Sequence, residues 1–136
     1  MTVWRRLDHV AMVVTDTETA LAHFSGELGM RVVETEELEI PPVRLTYLDA
    51  GAVTLQLVEP LAGNDALEEH LAEHGEGLHH VCFEVDDLEA GIRALSGGEP
   101  PALVIHGRDR VSAFVPGPMV HGLRLELTQV TEGGSP

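Results

Sequence analysis

Residues 7–16, Leu-Asp-His-Val-Ala-Met-Val-Val-Thr-Asp, lie over residues 78–87, Leu-His-His-Val-Cys-Phe-Glu-Val-Asp-Asp, without a gap. Each segment is apolar or alternating for about seven residues, the pattern of a strand with one face buried. Each then reaches an aspartate, Asp16 or Asp87, a residue that caps helix starts by accepting a backbone N–H. Helical spacing follows in both copies. Ala20, Leu21, Phe24 and Leu28 form an apolar stripe over residues 17–28, and Leu88, Ile92 and Leu95 do so over residues 88–95. Gly29 and Gly97-Gly98 are the expected stops.

The copies continue alike. Residues 31–34, 43–49 and 53–59 read as strands, with turns at Pro41-Pro42 and Ala50-Gly51. In the second copy, residues 102–105, 110–115 and 123–130 read the same way, with turns at His106-Gly107 and Pro116-Gly117-Pro118. Residues 65–74 between the copies form a connecting helix with Leu67 and Leu71 on one side, and residues 131–136 read as a frayed polar tail. The fold class expected is therefore α+β, with two tandem βαβββ modules forming a paired, cleft-enclosing mixed sheet. The chain reads as one domain over residues 1–136: module one at 5–61, linker helix at 64–75, module two at 77–130. Two copies are too few for a solenoid and suit a pseudo-two-fold pair.

Composition narrows the function. The formal charge is −15 over 136 residues, and all eight basic residues are arginine. So acidic a surface is repelled by nucleic acid and by anionic membranes. The absence of lysine excludes a Schiff-base nucleophile and a phosphate-gripping loop lysine. No apolar run is long enough to span a bilayer, and no secretory leader is visible, so a cytoplasmic protein is expected. The single cysteine, Cys82, lies in an apolar run and reads as a small core residue.

Strand alternation puts His9 on a face with Ala11 and Val13, opposite Val10, Met12 and Val14. The bulkier face suits the helix, which turns His9 away from it. His80 holds the matching position in the second copy, and register places His79 on the other face. In the last strand of each module, Gln56 sits between two leucines as Glu126 does. Two imidazoles, an amide oxygen and a carboxylate form a nitrogen/oxygen donor set for Zn²⁺, Co²⁺, Ni²⁺, Mn²⁺ or Fe²⁺. Four protein ligands leave positions open for water or substrate oxygens.

These residues resemble the vicinal oxygen chelate (glyoxalase/bleomycin resistance/dioxygenase) superfamily, and within it most nearly the methylmalonyl-CoA epimerase family. The resemblance rests on Leu7-Asp8-His9-Val10-Ala11, residues 55–61, the stretch Gly75-Glu76-Gly77-Leu78-His79-His80, Val85-Asp86-Asp87 and residues 122–127. It implies His9, Gln56, His80 and Glu126 as metal ligands, with Glu126 also the catalytic base, and a small-molecule substrate such as an acyl-CoA. It also implies a homodimer. The reaction implied is removal of a proton beside a thioester carbonyl. The alternatives are a glyoxalase-like lyase or isomerase, a natural-product enzyme of the same superfamily, or a small-molecule-binding resistance protein. One departure stands out: Ile40 falls where the epimerases carry a second acid/base glutamate. Glu39 is one residue away, a slip that in a regular strand reverses the face. Arg44, Arg110 and Arg124 are candidates for holding a carboxylate or phosphates.

Overall fold

A computed structural model describes residues 4–131, so the polar tail expected at 131–136 lies outside the described residues except for Thr131. The elements in chain order are β1 (Trp4–Val13), α1 (Thr17–Leu21), β2 (Val32–Glu39), β3 (Pro42–Asp49), β4 (Thr54–Pro60), α2 (Asp65–His74), β5 (Gly77–Val85), α3 (Leu88–Ser96), β6 (Ile105–Gly107), β7 (Arg110–Phe114) and β8 (Leu125–Val130). The fold is α+β. The eight strands form a mixed sheet in the order β2-β3-β4-β1-β5-β8-β7-β6, in which β1 runs parallel to β4 and β5 parallel to β8. No helix among the described residues is long and apolar enough to cross a membrane.

The chain divides into two compact units, one of residues His9–His79 and one of Met1–Asp8 with His80–Pro136. The cuts fall directly before His9, inside β1, and directly before His80, inside β5.

In the unit His9–His79, β3 and β4 pair antiparallel and β4 pairs with β1 in the register Ala11↔Gln56. Alternation then sorts the side chains. Val14, Leu48 and Leu57 face the α1 side, where Ala20, Leu21 and Phe24 cover them. Ala11, Val13, Val43, Leu45, Tyr47 and Val58 face the other way and are partly covered by Leu67 and Leu71 of α2. Asp16 caps α1 as expected, accepting from the Thr19 N–H at 3.0 Å. Hydrogen bonds from the Thr19 side chain and backbone hold the Asp16 carboxyl below its ordinary pKa. The helix expected over residues 17–28 is α-helical only to Leu21; Ala22–Glu27 widens into π-helical turns before Gly29, whose φ is +77°. Strand β2 runs on to Glu39, five residues past the expected end, because it pairs with β3 along its whole length after an irregularity between Val32 and Glu34.

The second unit repeats the scheme. Val85, Leu88, Ile92, Ala113 and Leu127 form its core, with Phe83, Val111 and Val115 packed against it. Asp87 caps α3 by accepting from the Ala90 N–H at 3.1 Å, and Gly97 ends it in the left-handed region at φ +72°. Even the fastening of the helix start is duplicated. Glu59 of β4 accepts from the Thr17 N–H at 2.9 Å, and Gln129 of β8 accepts from the Leu88 N–H at 2.7 Å.

The second copy departs from expectation near β6. The strand expected at 102–105 lies at Ile105–Gly107, and the turn expected at His106-Gly107 lies at Arg108 and Asp109, both with positive φ of 52° and 55°. Two contacts hold this otherwise unfavourable arginine conformation. Arg108 Nη2 donates to the buried Asp8 carboxylate at 2.6 Å, and the Thr131 N–H donates to the Asp109 carbonyl at 3.0 Å.

Candidate metal centre

His9 lies two residues before Ala11, and Ala11 is in register with Gln56. His80 lies two residues before Cys82, and Cys82 is in register with Glu126. Each unit therefore carries one imidazole and one oxygen donor on the same face of two parallel strands, at the same diagonal offset. That face is the one turned away from α1 in the first unit and from α3 in the second. All four residues are buried polar side chains: His9, Gln56, His80 and Glu126 are 3–6% exposed. Burying such groups is costly unless they are paired or bind an ion.

Within the second unit the pair is in contact, with His80 Nε2 3.1 Å from Glu126 Oε1. Phe114 of β7, in register with Glu126, presents its ring edge-to-face with the His80 imidazole at 4.8 Å between centroids. Burial, with Glu126 and Asp8 nearby, pushes the Cys82 thiol well above its ordinary pKa, so it is the inert core residue expected.

Within the first unit, the Gln56 Nε2 donates to the Tyr47 hydroxyl at 3.3 Å. That hydroxyl donates in turn to Glu36 Oε2 at 2.8 Å. Tyr47 and Glu36 were not among the residues singled out from the sequence. The repeat offered no guide to Tyr47, because it stands nine residues before Gln56 while Phe114 stands twelve before Glu126. Glu36 was hidden in an acidic run beyond the expected end of β2.

Other candidates fall elsewhere. His79 does not join His80; its ring lies 4.9 Å from that of His70 on α2. Glu39 is on the wrong face. Register pairs Leu38 with Val43 and Glu37 with Arg44, so Glu39 shares the Arg44 face, opposite Tyr47 and Gln56. Ile40 is 73% exposed in the turn after β2. Arg44 is engaged by Glu37 at 2.9 Å and Glu59 at 3.3 Å on that opposite face. Arg110 is held by Glu84 at 3.1 Å and Asp8 at 3.4 Å. Both of these candidate anion holders are thus engaged by carboxylates of the chain itself.

His9, His80 and Glu126 are of the types that hold a divalent ion. His9 and the Gln56 amide oxygen in one unit, and His80 and the Glu126 carboxylate in the other, are nitrogen and oxygen donors of the kinds that first-row divalent metals take.

Residues 8–100 match the model of the Glyoxalase/Bleomycin resistance protein/Dioxygenase superfamily. The chain is 31% identical over 141 residues to the ethylmalonyl-CoA/methylmalonyl-CoA epimerase of Cereibacter sphaeroides, covering 92% of this chain and 98% of that one. It is 33% identical over 96 residues to the human mitochondrial methylmalonyl-CoA epimerase, covering 68% of this chain but 54% of that protein. The uncharacterized protein YqjC of Bacillus subtilis is 33% identical over 91 residues, 67% of this chain and 65% of that one. Among solved structures, a methylmalonyl-CoA epimerase in complex with methylmalonyl-CoA and NH4+ superimposes with a TM-score of 0.83 at 28% identity, covering 99% of this chain and all of that one.

Proposed function

The chain belongs to the Glyoxalase/Bleomycin resistance protein/Dioxygenase superfamily, and from that premise we propose that it is a metal-dependent isomerase of the methylmalonyl-CoA epimerase type. His9, Gln56, His80 and Glu126 are the ligands in this reading. The observation that carries this reading is the matched register: an imidazole and an oxygen donor stand at the same offset on two parallel pairs of buried strands. Relatives that are methylmalonyl-CoA epimerases supply the substrate class, a 2-substituted malonyl thioester of coenzyme A.

A bound divalent ion supplies Lewis-acid stabilisation of the charge that develops on the substrate carbonyl oxygen. The carboxylate of Glu126 takes the proton from the carbon between thioester and carboxylate, and the C–H electron pair moves onto that oxygen. His80 Nε2 lies 3.1 Å from that carboxylate, so the two donors sit side by side. The apolar surroundings of Phe114 and Cys82 keep the local dielectric low, which strengthens each of these charge interactions.

Incubation of the metal-loaded protein with methylmalonyl-CoA in heavy water is expected to exchange the C2 proton for deuterium, read by mass spectrometry. No exchange would remove the epimerase reading.

A second reading has its own observation. Epimerisation needs the proton returned on the opposite face, yet residue 40 is an exposed isoleucine and Glu39 faces away. A glyoxalase-like isomerisation, in which one base removes and returns the proton, makes no demand on residue 40. Loss of deuterium-free substrate without inversion at C2 would favour it.

A further inference from the structure

Taking the metal reading above as given, we infer that Glu36 and Tyr47 are positioning residues that decide which end of the Gln56 amide meets the ion. A glutamine amide is two-ended: its carbonyl oxygen can ligate a metal, while its NH₂ group offers no lone pair in the plane. The two ends have nearly the same shape, so packing alone selects poorly between them. Something must tell the ends apart.

The chain of bonds does so. A carboxylate without its proton only accepts, so Glu36 Oε2 takes the single phenolic proton of Tyr47 at 2.8 Å. The Tyr47 oxygen is then left with lone pairs only. The Gln56 amide, 3.3 Å away, can then meet it only as a donor, and it turns its Nε2 to the hydroxyl oxygen. The Gln56 carbonyl oxygen is thereby directed away from Tyr47 and toward the ligand position. Tyr47 is 3% exposed, so water does not compete freely for the hydroxyl.

The repeat supplies an internal control. Tyr47 is in register with Gln56, and Phe114 with Glu126. The aromatic residue beside the amide carries a hydroxyl; the one beside the carboxylate does not. A carboxylate has two equivalent oxygens, so either way round it presents a ligand atom, and no donor or acceptor is required to orient it. The hydroxyl stands only where orientation matters.

The test is calorimetric titration of metal-free protein with Co²⁺. Wild type is expected to bind one equivalent, and Tyr47→Phe to bind it about 10–100-fold more weakly, the range for loss of an outer-shell partner. In a Gln56→Glu background the same Tyr47→Phe change is expected to have no further effect, because a carboxylate needs no orientation. Glu36→Gln, at a partly exposed position, is expected to weaken binding less but in the same direction, since it frees the phenolic proton to turn toward Gln56. Unchanged Co²⁺ affinity in both Tyr47→Phe and Glu36→Gln overturns the inference. An equal loss in the Gln56→Glu background also overturns it, because that is the signature of a merely structural hydroxyl. A wild type that takes up no Co²⁺ is a different result: it removes the metal reading itself.

Discussion

The two units have the same framework and differ in what surrounds their oxygen donors. In the unit His9–His79 the donor is a neutral amide, held by a tyrosine that is itself held by a glutamate. In the other unit the donor is a carboxylate, against an imidazole and a phenylalanine ring. Both have an aromatic residue in register with the donor, Tyr47 beside Gln56 and Phe114 beside Glu126. They differ in charge and polarity. The half with the carboxylate can take up a proton and needs no orienting partner. The half with the amide cannot act as a base at neutral pH and carries two residues whose bonds set its direction. The lesson is that a ligand's chemistry determines what its neighbours must be.

Substitutions can break this contrast. The largest effect is expected for Glu126→Ala, which removes the only formally negative donor and leaves His80 buried beside a void. Co²⁺ uptake by elemental analysis should be lost, while Gln56→Ala should retain measurable uptake. Equal loss in the two would erase the asymmetry. Next come the cores, where the units are expected to behave alike. Leu57→Ala and Ile92→Ala each delete a side chain that is at most 2% exposed, for a cost of about 2–5 kcal/mol in denaturant unfolding. A cost below about 1 kcal/mol at either site would mean that this core is not tightly packed. The smallest effect sharpens the comparison most. Phe114→Tyr adds the missing hydroxyl to the carboxylate half, and Co²⁺ affinity is expected to stay as it was. A marked gain or loss would show that a hydroxyl matters beside either kind of donor.

Much of this was legible in the order of residues. The gapless overlay of residues 7–16 on 78–87 located two strands, two aspartate caps and both histidines, because all of these depend on local periodicity and on hydrogen bonds within one turn. The helix α2 fell where Asp65–His74 was expected, with Leu67 and Leu71 on its covered side. Local rules served less well at β2 and β6. The length of β2 is set by its partner β3, and the turn at Arg108 and Asp109 is held by Asp8, a hundred residues away.

Residue order was enough for the two repeated modules and for the strand faces on which His9, Gln56, His80 and Glu126 stand, since a strand's period of two assigns a face once its position is known. Tertiary structure decided the rest. It put Glu39 on the far face and committed Arg44 and Arg110 to nearby carboxylates. It also brought Tyr47 between Glu36 and Gln56, a contact among three strands that no spacing along the chain encodes. Pairing register is a property of neighbouring strands, and which polar groups meet follows from it.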